Sequence, residues 1–555
     1  MLPGGLLEAE ERLRASVSAG ARLEFGDRVP GRNGRRCPSR KKIRAETIAG
    51  LLKAGNGAPG GAALWIEGAC IIGKLDMRYA RLEMPLIMKH CCFDEGIDLS
   101  AAQAISVVLD GSSFASFHGY GLQVDGDANW SRCQGGQLDI FGARIGGRLW
   151  LEGSELEGMG SGFALNAPDL VVEGGMYCRG MKAAGGINLY GAAIGAALEL
   201  DGAVLTSQAG PALRAPRLTV KSDMSCGMGF TATGAVNMFA AQIGGQLWFT
   251  NASLDRGGSD RALNAPQITV NGGLYCNEFR ATGMINLFGA VIGAGLEFGE
   301  ANLSNPTGMC LRAQGLIVRD SLSLTAGFSA SGDIDLARAR IGGELRFAGP
   351  LFTDGVLDLR RAEVGQLNTE PASLPSRLRL NGLTYAAFQP YLPARQRLEI
   401  LRRDQDGYQP QPYEQLAASY RSLGNDDQAR TVLLAKQRRR QEEVKIPSRT
   451  WGYVQDIAIG YGYRPARALV WLAALIALTA TYFTVFPPHA SAVTHPQLPP
   501  VIYAFYVVVP VLNIGQPTPY PANATGQWII WIAQLAGWIL ATTVIAGMTR
   551  VLSRS

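Results

Sequence analysis

Apolar and polar positions alternate in short runs along most of the chain. The segments Ile187–Leu205 (INLYGAAIGAALELDGAVL) and Ala212–Phe230 (ALRAPRLTVKSDMSCGMGF) both show x-L-x-L or x-V-x-V alternation, broken by Gly, Ala or Pro. A period of two is the mark of strands rather than helices. The motif I-G-[GA]-x-L returns at Ile145, Ile194, Ile243, Ile292 and Ile341, every 49 residues. Leu149, Leu198, Leu247, Leu296 and Leu345 keep that step, as do Asp139, Asn188, Asn237, Asn286 and Asp335. Weaker copies stand at Ile72-Gly73 and Val364-Gly365. Each unit contains two half-units, so the repeat predicts a double turn of a β-helix with two or three short strands per turn. The predicted solenoid covers residues 61–385. It would have roughly 12 turns and a length of ~60 Å at ~4.8 Å per strand layer. Gly and Ala at the corners permit tight turns. Residues 1–60 form a basic N-terminal cap, with a helix expected near Ile43–Ala54 to cover an open sheet end.

Beyond the repeat the pattern changes to helical spacing. Glu414–Leu423 reads as a helix that Gly424 ends, and Asn425 or Asp426 caps a second helix running to about Glu443. Residues 386–463 are therefore predicted to be an α-helical collar. From Ala468 to Thr549 there is no Asp, Glu, Lys or Arg. The runs 466–486 and 528–552 are long enough to predict two transmembrane helices in a membrane domain of residues 464–555. A shorter run opens a re-entrant segment, 501–516. Basic residues flank the outer ends of both predicted spans and none lies between them, so both termini are expected in the cytoplasm. Free thiols are expected there.

Composition narrows the chemistry. Charged residues are 18% and hydrophobic residues 47% of the 555, which excludes extensive disorder. The net charge of +6 does not by itself require a nucleic-acid partner. Four scattered His and nine Cys without a CxxC pair argue against a metal site and against a disulfide framework. Cys178, Cys226 and Cys276 recur with the repeat, aligned with Leu151, Leu200, Phe249 and Phe298, and are expected to be buried core thiols. Asn188, Asn237 and Asn286 are expected to satisfy turn backbone groups. Gly293-Ala-Gly295 lacks the third glycine and following helix of a dinucleotide loop. No catalytic residue, no cofactor and no enzymatic activity are predicted.

Two basic clusters remain. Arg28–Arg44 includes Arg35, Arg36, Arg40, Lys41 and Lys42 with no acidic residue, a candidate site for a polyanion or nucleotide. The collar helix ends in Arg438, Arg439 and Arg440, candidates for headgroup contact.

The repeats, with GYGYRPARALVWL (Gly460–Leu472), AFYVVVPVLNIGQ (Ala504–Gln516) and GWILATTVIAGMTRVL (Gly537–Leu552), resemble bacterial proteins with pentapeptide-like β-helix repeats and a membrane-embedded C-terminus. Such proteins are often labelled membrane-associated oxidoreductases, but no residues here carry redox chemistry. The C-terminal part is also similar to a two-span channel subunit, without the potassium-filter pattern TVGYG. Its layout resembles that of anti-phage channel effectors of the Hailong type. The resemblance implies an oligomeric pore in the bacterial inner membrane, with the β-helix as sensor or assembly platform. Asn513, Ile514, Gly515 and Gln516 are its candidate pore lining. Ala533, Gly537 and Ala541 form a small-residue stripe for helix packing in a homo-oligomer, a tetramer being favoured. The alternative is a non-conducting, membrane-tethered β-helix scaffold for an unidentified protein partner.

Overall fold

The computed structural model describes residues 4–26, 37–53, 63–159, 162–208, 210–325, 327–349, 351–443, 465–487, 499–509 and 524–552. They fall into two compact units, Met1–Leu392 with Glu399–Asp406, and Pro393–Leu398 with Gly407–Ser555.

The first unit is a parallel β-solenoid of right-handed type with about 15 turns, consistent with a pentapeptide-repeat β-helix. Two sheets of 27 and 26 short strands run its length, so each coil contributes about equally to both. The core consists of columns of like residues. Ile145, Val172, Ile194, Val220, Ile243, Val270, Ile292, Val318 and Ile341 stack coil on coil, alternating two β-branched side chains. The glycine after each Ile of the motif is fixed by close approach. A Cβ on Gly195 would meet the Glu173 carbonyl oxygen at 2.0 Å, and one on Gly293 the Asn271 carbonyl oxygen at 2.0 Å.

The 49-residue repeat resolves into unequal coils. Arg144 pairs with Val171 and Val171 with Ala193, offsets of 27 and 22 residues. Ala193 pairs with Thr219 and Thr219 with Gln242, offsets of 26 and 23. The longer coils carry an insertion at one corner, which is a connection before the strands Leu165–Asn166, Leu213–Arg214 and Arg261–Asn264 and a register shift between Ser304 and Met309 within the strand Asn302–Arg312. The intervening coils turn that corner on Gly185, Gly234, Gly283 and Gly332, all with φ between 113° and 119°. The solenoid has more turns than the motif predicted. Its first coils lack the insertion and advance by 22 and 21 residues, as in Leu64 to Leu86 and Leu86 to Val107.

Helices α1 (Gly4–Ser18) and α2 (Ala45–Lys53) belong to the solenoid's N-terminal end. Ala45, Ile48 and Leu52 of α2 are buried. Ile43 lies in the strand Lys42–Arg44 instead of in the helix. That strand and Leu23–Glu24 pair with the first coil.

After a short helix α3 (Ala394–Leu401), the second unit contains α4 (Pro410–Ser422) and α5 (Asp426–Glu443), separated by Gly424 at φ 73° as the spacing predicted. Three more helices follow: α6 (Pro465–Val485), α7 (Pro500–Val508) and α8 (Ala524–Leu552). Phe483, Tyr503, Val507, Val508, Ile530 and Ala533 form their common core.

Helices therefore form at the predicted apolar runs, but their reading as membrane spans is corrected. Among the described residues no helix is long and apolar enough to cross a membrane. Absence of formal charge is not continuous apolarity. Past Leu478, α6 carries Thr479, Thr481, Tyr482 and Thr484. Helix α7 has nine residues. Helix α8 is interrupted by Gln527, Gln534, Gly537 and Thr542. A crossing helix needs about 20 predominantly apolar residues. The two transmembrane helices, and the multi-pass inner-membrane location with cytoplasmic termini that rested on them, are withdrawn.

Candidate functional site

One polar column runs along the second sheet. Asp98, His118, Asp139, Asn166, Asn188, Arg214, Asn237, Asn264, Asn286, Arg312, Asp335 and Asp358 occupy successive coils. Its amides bond to one another. Asn188 Nδ2 donates to Asn166 Oδ1 at 2.8 Å, Asn264 Nδ2 to Asn237 Oδ1 at 3.3 Å and Asn286 Nδ2 to Asn264 Oδ1 at 2.9 Å. The Oδ1 atoms of Asn188, Asn237 and Asn286 also accept from the backbone N–H of Tyr190, Phe239 and Phe288, each at 3.2 Å. The expected turn-satisfying role is what these asparagines perform. At one end Asp139 accepts the Tyr120 hydroxyl at 2.8 Å, which pushes the Tyr120 phenol up to about 12. Further along, burial raises the Asp335 carboxyl above its ordinary value.

From His118 to Asn286, a ring stands two residues past each ladder position. Tyr120, Phe141, Pro168, Tyr190, Pro216, Phe239, Pro266 and Phe288 follow coil by coil. Backbone bonds fix that order: Gly121 N–H to Phe141 O, Gly142 to Pro168, Asp169 to Tyr190, Gly191 to Pro216, Arg217 to Phe239, Ala240 to Pro266 and Gln267 to Phe288. Tyr120, Phe141, Phe239 and Phe288 are exposed. The Arg214 guanidinium lies 5.5 Å from the Tyr190 ring, and that of Arg312 5.2 Å from the Phe288 ring. Across the six coils from Asn188 to Gly315, the ladder, ring and following left-handed positions hold Arg214, Arg217 and Arg312 and no acidic residue.

On the other side of the ladder the corner loops stand above its floor. A cleft of about 430 Å³ opens between the loops 207–211 and 256–261, with Asn237 and Asn264 among its lining. Of the four corner insertions, the one at 256–261 carries charge, with Arg256, Asp260 and Arg261. Arg261 Nη1 donates to Asn264 Oδ1 at 3.0 Å and its Nε lies 3.5 Å from Asp260. The three features form a trough along the solenoid: loops, amide floor and ring ridge.

Sequence reasoning missed the rings. Their signal was present, since N-[LM]-[YF] at Asn188, Asn237 and Asn286 alternates with [NR]-A-P at Asn166, Arg214 and Asn264. The sites singled out from the sequence lie elsewhere. Arg35, Arg36 and the segment Asn513, Ile514, Gly515 and Gln516 lie outside the described residues. Arg40 is exposed, while the Lys41 ammonium donates to the Phe25 carbonyl oxygen at 2.5 Å, so this charge fastens the N-terminal segment. Lys42 pairs with Cys70 in the first coil. Arg438, Arg439 and Arg440 end α5, and Arg439 pairs with Glu442 at 2.6 Å. In α8, Ala533 and Ala541 are buried. A Cβ on Gly537 would meet the Val508 carbonyl oxygen of α7 at 1.8 Å, so this small-residue face meets α7 of the same chain.

Cys178, Cys226 and Cys276 are buried in one core column with Leu151, Leu200, Phe249 and Phe298, as aligned from sequence. Burial pushes all three thiols far above the ordinary range. The expectation of unpaired cysteines is corrected at one place. Cys37 and Cys70 form a disulfide with Cα atoms 6.5 Å apart. The pairing of Lys42 with Cys70 brings Cys37 to Cys70, 33 residues away in sequence, which spacing alone does not reveal. Among the described residues no group of three or more His, Cys, Asp or Glu is placed to hold a metal ion.

Comparison of the chain with protein families, with curated proteins and with solved structures gives no match. The class established is therefore that of the fold, a parallel β-solenoid.

Proposed function

We propose that the solenoid is an interaction scaffold which holds a partner chain along its ring-bearing face, without catalysis. One observation carries this. Rings and prolines at which a soluble repeat would ordinarily place polar groups instead form one continuous ridge over successive coils. The ladder beneath supports that role, because its amides are engaged in bonding one another and the turns. A rigid, periodic surface of this kind gives a long, flat contact at low ordering cost. The pore expectation depended on membrane spans and is not carried forward.

A photo-crosslinking residue at position 239 tests the proposal, with the same residue at the outward position Thr219 on the other sheet as control. The expected result is a discrete adduct at 239 and none at 219. The identified partner, purified, should then bind the full chain saturably and bind a Phe239→Glu/Phe288→Glu variant about tenfold or more weakly. No adduct at 239, or equal binding of both proteins, refutes the scaffold role.

A further inference from the structure

We infer that the occupant of this face is an acidic, proline-rich segment in the polyproline II conformation; this rests on the scaffold role and names its partner's chemistry. Three observations converge. Tyr190, Phe239 and Phe288 recur on every second coil, with Pro216 and Pro266 on the coils between. Two coils advance about 9.6 Å, at ~4.8 Å each. One turn of polyproline II advances about 9.3 Å, three residues at ~3.1 Å. Successive turns of such a ligand therefore meet successive aromatic rings with almost no drift over this stretch. The slots between rings are floored by proline, which gives flat apolar seats for ligand prolines, the way aromatic-lined grooves take extended proline-rich segments. Charge selects among such segments. Arg214 and Arg217 stand in the same columns between neutral neighbours, Arg312 stands there beside Asp335 of the next coil, and Arg214 and Arg312 already lie over the rings. A ligand carboxylate placed once per turn can pair with them while its prolines cover the rings.

The test uses the full chain and a fluorescein-labelled (Pro-Pro-Glu)5 peptide, read by fluorescence anisotropy. Two controls keep length: (Gly-Ser-Glu)5 keeps the charge without the helix, and (Pro-Pro-Lys)5 reverses the charge. Saturable binding of the first, with each control about tenfold weaker or more, is expected. Phe239→Ala/Phe288→Ala should weaken binding about tenfold, and Arg214→Ala/Arg312→Ala should weaken it and flatten its salt dependence. The peptide comparison decides even if a variant is unstable. Absent binding of (Pro-Pro-Glu)5, or equal binding of (Gly-Ser-Glu)5, overturns the inference. So does an oligothymidylate or an oligogalacturonate that binds in its place and is lost with the rings, or a dimer of the chain that the ring variant abolishes. A specific adduct at position 239 with no peptide binding leaves the scaffold standing and removes only this partner.

Discussion

Asn286 shows how a single residue serves the solenoid. Its side chain is buried, donates to Asn264 and accepts from the Phe288 N–H, so it joins two coils and closes a turn at once. Replacing it by Ala leaves the Phe288 N–H without its acceptor and takes one of two donors from the Asn264 amide oxygen, which keeps Arg261. The loss should be about 1–3 kcal/mol, since orphaned buried polar groups cost their desolvation. Urea unfolding of Asn286→Ala checks this, and an unchanged midpoint contradicts it. The thiols make the opposite case, in which a reactive group does nothing but fill space. Cys178, Cys226 and Cys276 are buried with their thiols raised by burial, so the nucleophilic thiolate is suppressed as well as shielded. Native-state alkylation should therefore leave all three unmodified while half-buried Cys92 reacts first. Cys226→Ser should cost about 1–3 kcal/mol by placing a hydroxyl in an apolar column. Labelling of the three at the rate of Cys92 contradicts the prediction.

The element that repeats is a coil, and its corners decide which glycines matter. Gly332 turns a tight corner at φ 119°, and a Cβ there would meet the Asn305 and Gly308 carbonyl oxygens at 2.4 and 2.5 Å. Gly142 sits at φ 63° with open space around it, in a column where Ala101 and Ala240 adopt φ 54° and 52°. Gly332→Ala should therefore destabilise by about 3 kcal/mol or more, and Gly142→Ala by no more than about 1 kcal/mol. Thermal unfolding of the two variants side by side checks the contrast, and equal losses contradict it. The same corners explain how far the fold was legible. The I-G-[GA]-x-L step exposed the core columns, because inward side chains and close-approach glycines tolerate few alternatives. The division into coils of 22–23 and 26–27 residues stayed hidden, because each pair restores the same 49. The ring ridge was missed for a related reason. Each aromatic stands alone in its own turn, and the prolines that complete the ridge lie in the other half-unit. Helices α6 and α8 were legible as helices from their apolar runs, but a count of charges passed over Gln527, Gln534 and the threonines.

A solenoid is only as closed as its ends, and at the N-terminal end an ion pair acts beside the Cys37–Cys70 disulfide and the Lys41 hydrogen bond. Leu23–Glu24 and Lys42–Arg44 cover the free edges of the first coil at Ile66–Glu67 and Cys70–Ile72. Arg44 is held to α1 by Glu10, whose carboxylate takes its Nε at 2.8 Å and its Nη2 at 2.7 Å. Glu10 is 2% exposed. The Arg44 hydrogen bond outweighs burial and holds the Glu10 carboxyl below its ordinary 4.5. A depressed carboxyl contributes stability that is fully present above 4.5 and is lost as the pH falls through the lower folded value. Acid should therefore loosen this cap and bare two parallel strand edges, which template pairing with another copy. Sedimentation velocity should show the wild-type chain associating as the pH is lowered below that range. Glu10→Gln keeps the shape but removes the charge, so it should associate already at neutral pH and lose most of the acid dependence. Hydrogen exchange at Ile43 and Arg44 should rise in step, placing the change at the cap. If Glu10→Gln sediments as the wild type does at neutral pH and remains protected at Ile43, the ion pair is not what closes this end.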